Sequence, residues 1–317
     1  MKRACLVLAL LLILLTACGP GDGTPEQTGG GTPSQTQGTE LPVTESSPDM
    51  PYDGTWSIRV IDTTGEEAWS FTETSIANAL ESFPALPSGT PGKFTHVYSA
   101  VNNWPTARYY AAEGFSVVSI LAAAGLYDSA QTVTFRSDDG YEISLTRDQI
   151  HAPQYFYPQV NENDDGAEPV YPIIAYRWRE GSDDLSAIRE DNPCLIIGQR
   201  NPFEHTNPAF VENISEIIVS TEPCEKWPPA STFPAPGFIP AGETVKLQHL
   251  SYGLVKLHYT LDGSEPTILS TMYNPSTYRP ELNVPIPITE TTEIRVIVYG
   301  YGKTDSEVAV FQFTPQD

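Results

Sequence analysis

The stretch Gln199-Arg200-Asn201-Pro202-Phe203-Glu204-His205-Thr206-Asn207 gathers polar side chains directly after an apolar run of strand length. Glu204 and His205 are a carboxylate and an imidazole, able to hold a small ligand or a metal and to move protons near neutral pH. The competing reading is an exposed or internally hydrogen-bonded pair. Asn161, Asn163 and Asp165-Gly166 alternate like the start of a calcium loop. The twelfth position of that loop is Pro172, which cannot supply the bidentate acid, so a solvated acidic loop is expected. Asp262 and Glu265 are paired carboxylates of the kind used in glycoside hydrolysis. They sit in Asp262-Gly263-Ser264-Glu265-Pro266, where turn chemistry accounts for them. Cys194 and Cys224 have neither a CxxC spacing nor a histidine at metal spacing. They form an even pair, and a structural bridge is expected ahead of two free thiols. No Ser/His/Asp order, nucleotide-binding glycine loop or zinc spacing is present.

These residues need elements to position them. Residues 55–62 and 131–137 alternate apolar and polar, and 172–178, 194–199 and 216–220 are apolar runs of strand length. Residues 116–124 read as a helix: Ser116 caps it, Val117, Ile120, Leu121 and Ala124 recur at helical spacing, and Gly125 closes it. That mixture predicts an α+β domain over 51–222. Residues 243–250, 254–261, 293–300 and 306–313 are strand-like and separated by turn residues, which predicts an all-β, immunoglobulin-like sandwich over 238–317. Between them, 223–237 begins a Pro-rich stretch that predicts a stiff connector.

The chain opens on Lys2 and Arg3, then an apolar run from Ala4 to Leu15 that is short for a membrane span. The run ends at Leu15-Thr16-Ala17-Cys18-Gly19, which resembles the lipobox of bacterial lipoproteins. The resemblance implies a signal peptide over 1–17, cleavage before Cys18 and a lipid on its sulfur. That would hold the protein on the extracytoplasmic face of a cell membrane. Residues 19–50 lack large apolar side chains and should form a disordered tether. With 17 Lys+Arg against 40 Asp+Glu the formal charge is −23, which favours solubility and disfavours nucleic acid and anionic lipid head groups as partners.

Tyr98-Ser99-Ala100-Val101-Asn102-Asn103, Gly114-Phe115-Ser116-Val117-Val118-Ser119-Ile120-Leu121, Val133-Thr134-Phe135-Arg136-Ser137-Asp138-Asp139-Gly140-Tyr141 and the late strands around 195–198 and 214–219 form an ordered set. Together they resemble the molybdopterin-binding domain of sulfite-oxidase-like oxidoreductases. In that family a cysteine in a Cys-x-x-Asn segment ligates molybdenum. The matching stretch here is Ser99-Ala100-Val101-Asn102, with a hard hydroxyl where a soft thiolate is required. The family's phosphate-binding arginine after a late proline is also missing: the place reads Pro193-Cys194-Leu195. The remaining cations include Arg108, Arg136, Arg147 and Arg200, scattered along the chain. Asn102, Asn103, Trp104 and Arg108 lie where the family builds its pocket, and Trp104 could stack a flat ligand while the amides orient it.

Leu257-His258-Tyr259-Thr260-Leu261-Asp262-Gly263-Ser264-Glu265-Pro266-Thr267, with Tyr273 and 294–299, resembles the C-terminal β-sandwich of chitobiases and β-hexosaminidases. That resemblance implies an accessory module of exported proteins. The reading that follows is a lipid-anchored scaffold or binder of a small ligand or cell-wall component, without a cofactor. The alternatives are a molybdopterin-dependent oxidoreductase ligated through Ser99, and a carbohydrate or cell-wall binder acting through the sandwich.

Overall fold

The computed structural model describes residues 55–81, 89–277 and 279–316. The apolar leader, Cys18 and the tether lie outside the described residues. Among the described residues no helix is long and apolar enough to cross a membrane. The first half runs β1 (Ile58–Ile61), β2 (Glu67–Phe71), α1 (Glu73–Glu81), β3 (Lys93–Val101), β4 (Ala107–Ser116), α2 (Val117–Ala123), β5 (Thr132–Ser137), β6 (Glu142–Thr146) and α3 (Arg147–His151). It continues through β7 (Gln154–Phe156), β8 (Glu168–Val170), β9 (Ile173–Glu180), β10 (Arg189–Ile196), β11 (Val211–Glu212) and β12 (Ile214–Ser220). The second half contains β13 (Ser231–Phe233), β14 (Gly237–Pro240), β15 (Thr244–Gln248), β16 (Val255–Thr260), β17 (Thr271–Tyr273), β18 (Ile286–Pro287), β19 (Thr292–Gly300) and β20 (Ala309–Gln316).

Two five-stranded sheets build the first half, in the orders β2-β1-β12-β5-β6 and β11-β10-β9-β4-β3. Their alternating inner residues, such as Val60, Val133, Phe135, Ile174, Leu195 and Ile217, share one core. The short α2 lies against it. Ser116 caps α2 by accepting from the Ser119 amide at 3.2 Å, and Gly125 takes φ +71° just beyond its end. The balance departs from the expected α+β mixture. Among the described residues the protein is mostly β, with α-helices of 9, 7 and 5 residues.

The reason lies largely in the β3–β4 hairpin, which strand periodicity does not reveal. Its residues pair continuously from Lys93–Phe115 to Val101–Ala107. The last five residues of β3 are all buried, so no apolar–polar alternation marks them. Next to this hairpin, β4 and β9 approach so closely that a Cβ on Gly114 would stand 2.3 Å from the Ile174 carbonyl oxygen.

In the second half, the sheets β13-β15-β18 and β14-β20-β19-β16-β17 enclose a separate core that includes Val245, Leu257, Ile294, Val296 and Phe313. The Pro-rich stretch expected as a connector is extended but not free-standing. Trp227 is buried in this second core, and β13 and β14 pair with β15 and β20.

One side chain fastens the two halves together. Gln149 closes a capping box with Thr146 at the start of α3. Its Nε2 donates to the Gly300 carbonyl at 2.7 Å and the Lys303 carbonyl at 3.2 Å, while its Oε1 accepts from the Gly302 amide at 3.1 Å. Gly302 meets Ser144 there at φ +80°, and a Cβ would fall 3.0 Å from that of Ser144. Buried, fully used amide groups at a junction favour a single docked arrangement.

Candidate functional site: a cleft between the two halves

A cleft of about 980 Å³ opens where the first half meets the sandwich. One wall is the loop after β10, carrying Arg200, Asn201, Phe203, Glu204 and His205. The facing wall is the outer face of the sandwich. Along β16 the side chains alternate: Val255 and Leu257 enter the core, which leaves Lys256 and His258 on the cleft side. Tyr299 on β19 joins them. Leu254, Ile268, Leu269 and Met272 supply an apolar margin.

The loop wall is held by a partly buried ion pair. Glu204 Oε1 accepts from Arg200 Nε at 2.9 Å, and Glu204 Oε2 accepts from the Arg200 backbone N–H at 2.6 Å. Tyr301, from the sandwich, donates to Glu204 Oε1 at 3.4 Å, and the Arg200 guanidinium lies 5.7 Å from the Tyr299 ring centroid. Burial pulls the Arg200 pKa down, but the Glu204 carboxylate outweighs it and holds the guanidinium well above its ordinary value. Asn201 Nδ2 adds a bond to the Ile268 carbonyl at 3.2 Å across the junction.

The two histidines are held neutral. Burial, with Lys256 second, pushes His205 down to about 4, and its Nδ1 has no hydrogen-bond partner among the described residues. Burial likewise pushes His258 down to about 4, while its Nδ1 contacts the Ser270 carbonyl at 3.0 Å and its ring meets Tyr299 edge-on. Burial lowers Lys256 to about 8.

Of the residues singled out from sequence, Asn103, Asn163, Arg200, Asn201, Glu204 and His205 line this cleft. Ser99 sits behind it and is fully buried. Its hydroxyl donates to Gln199 Oε1 at 2.6 Å and accepts from the Tyr157 amide at 2.8 Å. Gln199 Nε2 in turn donates to the Glu204 carbonyl at 2.9 Å. Asn102 is occupied locally, its Oδ1 accepting from the Trp104 and Thr106 amides, both at 2.9 Å. Trp104 is exposed, and Arg108 faces Glu180 at 3.9 Å; neither lines the cleft.

The residues present do not fit a pterin-bound molybdenum. The Ser99 oxygen is already engaged on both sides by protein groups. The four arginines do not converge: Arg108 is with Glu180, Arg136 with Glu142 and Glu216, Arg147 with the Tyr127 and Ala130 carbonyls, and Arg200 with Glu204. Among the described residues no group of three or more His, Cys, Asp or Glu could hold a metal ion. Ser99 instead has a structural role, and Ser99→Ala should cost about 1–3 kcal/mol by leaving the Tyr157 amide and the Gln199 side-chain Oε1 unsatisfied. Urea unfolding checks this; a loss below about 0.5 kcal/mol would contradict the buried bonds.

The structure does not bring Cys194 and Cys224 together, and both are free thiols. Cys194 is enclosed in β10, where burial and then Glu212 push its thiol pKa well up. The Cys224 sulfur lies against Thr132 Oγ1 at 3.0 Å and the Gln131 carbonyl at 3.1 Å, beside the start of β5. A bridge requires facing Cβ atoms, and these two sulfurs have different neighbours. Asp262 is a turn residue, accepting from the Ser264 amide at 3.0 Å and the Ser264 hydroxyl at 2.6 Å, and Glu265 pairs with Arg295. In the acidic loop, Asn163 Oδ1 accepts from the Asp165 amide at 2.9 Å, a local turn bond.

Lys256, His258, Tyr299 and Tyr301 carry no signal in sequence as site residues. The alternation of Val255-Lys256-Leu257-His258 marks which of them face out of the sandwich, but not what they face.

A family model described as Fn3 associated matches residues 245–313, from β15 into β20. The C-terminal part of the chain is thus an Fn3-associated β domain, and it supplies the Lys256–His258 wall. No curated protein matches the chain.

Proposed function

We propose that this chain is a lipid-anchored, extracytoplasmic binding protein, and that the cleft against the Fn3-associated domain takes a small ligand. Cys18 carries the anchor, and residues 18–50 act as a tether. The first half is a sulfite-oxidase-like scaffold without its metal chemistry. The second is an accessory sandwich of the chitobiase type that contributes one wall of the binding site.

The observation that carries this reading is the cleft itself. It is about 980 Å³, in the range of pockets for small organic molecules. It combines an apolar margin with a few polar groups, and Gln149 and the Arg200–Glu204–Tyr301 cluster hold its walls in place. By contrast, Ser99, where the resemblance places chemistry, is closed by protein hydrogen bonds.

Two measurements test the proposal. Cys18→Ser should abolish incorporation of a labelled fatty acid into the chain; unchanged labelling would remove the anchor. The full chain should bind the neutral apolar fluorophore N-phenyl-1-naphthylamine saturably at one site, and Leu254→Asp should weaken that binding. Non-saturable or absent binding would remove the pocket.

A further inference from the structure

The cleft holds a cation without a partner. The other cations along it are matched: Arg200 by Glu204, and Lys303 by Glu225 at 2.6 Å. Lys256 is half-buried on the same surface and has no carboxylate within ion-pair distance among the described residues. Beside it lies His205, 7% exposed, with a ring nitrogen that has no hydrogen-bond partner among the described residues. In a chain of net charge −23, surface carboxylates are plentiful, yet none reaches this point. A half-buried ammonium without a counter-ion is costly, and a bound anion would offset that cost. Leu254, Ile268, Leu269 and Met272 line the same cleft with apolar side chains.

We propose that the cleft takes an amphipathic organic anion, with its acidic head at Lys256 and His205 and its apolar body along Leu254, Ile268, Leu269 and Met272. This deepens the binding role proposed above and rests on it. The ammonium donates to the acid oxygens, and the imidazole adds one more polar partner. The apolar body displaces water from the rim, which the hydrophobic effect favours. An inorganic anion would leave that rim wet, and a neutral apolar compound would leave Lys256 unmatched.

Two fluorophores of similar shape separate head from body: the anionic 1-anilinonaphthalene-8-sulfonate and the neutral N-phenyl-1-naphthylamine. With the full chain at pH 7, both should bind at one site and the anion more tightly. Lys256→Gln should weaken the anionic probe at least about tenfold and leave the neutral one within about twofold, while Lys256→Arg retains most of the anion preference. Raising the pH to 9.5, above the Lys256 value of about 8, should weaken the sulfonate probe without any substitution. Equal binding of the two probes, unchanged in Lys256→Gln and at pH 9.5, overturns the anion assignment and leaves the pocket standing. Binding of neither probe overturns the pocket itself.

Discussion

Glu204→Ala is expected to destabilise the chain by about 1–3 kcal/mol, because it strands a partly buried guanidinium. The Glu204 carboxylate is the acceptor for Arg200 Nε, the Arg200 amide and the Tyr301 hydroxyl at once. The side chains are only 21% and 10% exposed, so water can replace little of what is lost. The penalty comes from the unmatched charge more than from the missing bonds. The double variant Arg200→Met/Glu204→Leu should therefore recover most of the stability lost by Glu204→Ala. Urea unfolding of the three proteins gives the comparison. A single-variant loss below about 1 kcal/mol, or a double variant no better than the single, would show that the pair is solvated and does not hold the cleft wall. Because Tyr301 belongs to the Fn3-associated half, the single variant should also weaken probe binding in the cleft.

Acid is expected to weaken the fold through His205 and His258. Both are pushed down to about 4 by burial, against an ordinary value of 6.5 in the unfolded chain. Between pH 6.5 and 4 the unfolded state binds more protons than the folded one, so stability rises with pH across that window. The contribution is fully present above pH 6.5 and is lost as pH falls towards 4. At about 1.4 kcal/mol per pKa unit, each histidine accounts for up to about 3 kcal/mol. The local charges agree in sign for His205, where Lys256 adds to burial. For His258, Glu204 opposes burial while Arg200 and Lys256 add to it. Asp305 and Glu212 are raised by burial and act oppositely in part of the window. The decisive comparison is thus between proteins: His205→Gln/His258→Gln should show a shallower fall in unfolding free energy from pH 7.5 to 4.5 than the parent. Parallel profiles would mean that neither imidazole is held neutral.

Much of the local structure is legible in the residues. The cap at Ser116, the turn at Asp262 and the alternation of β5, β16 and β19 all follow from short-range chemistry, whereas no sequence expectation covers the Thr146 capping box of α3. The β3–β4 hairpin is not legible in this way, since a strand buried on both faces has no period of two. Nor is the role of Ser99, whose place in the family resemblance suggests a metal ligand but whose partners, Gln199 and Tyr157, are 100 and 58 residues away.

Residue types and spacing by themselves determined most of the strand pattern, the Asp262 turn and the strong negative charge, while the lipid at Cys18 is an expectation that rests on the lipobox resemblance. They also drew attention to Glu204 and His205. Only the tertiary structure decided what those two residues face: Lys256, His258, Tyr299 and Tyr301, from a separate sheet system. Caps, turns and alternation depend on neighbours a few positions apart, so they are written locally. A cleft depends on how one sheet docks on another, here through Gln149 and Gly302. That docking is a property of surfaces assembled from distant segments, which no single stretch of chain encodes.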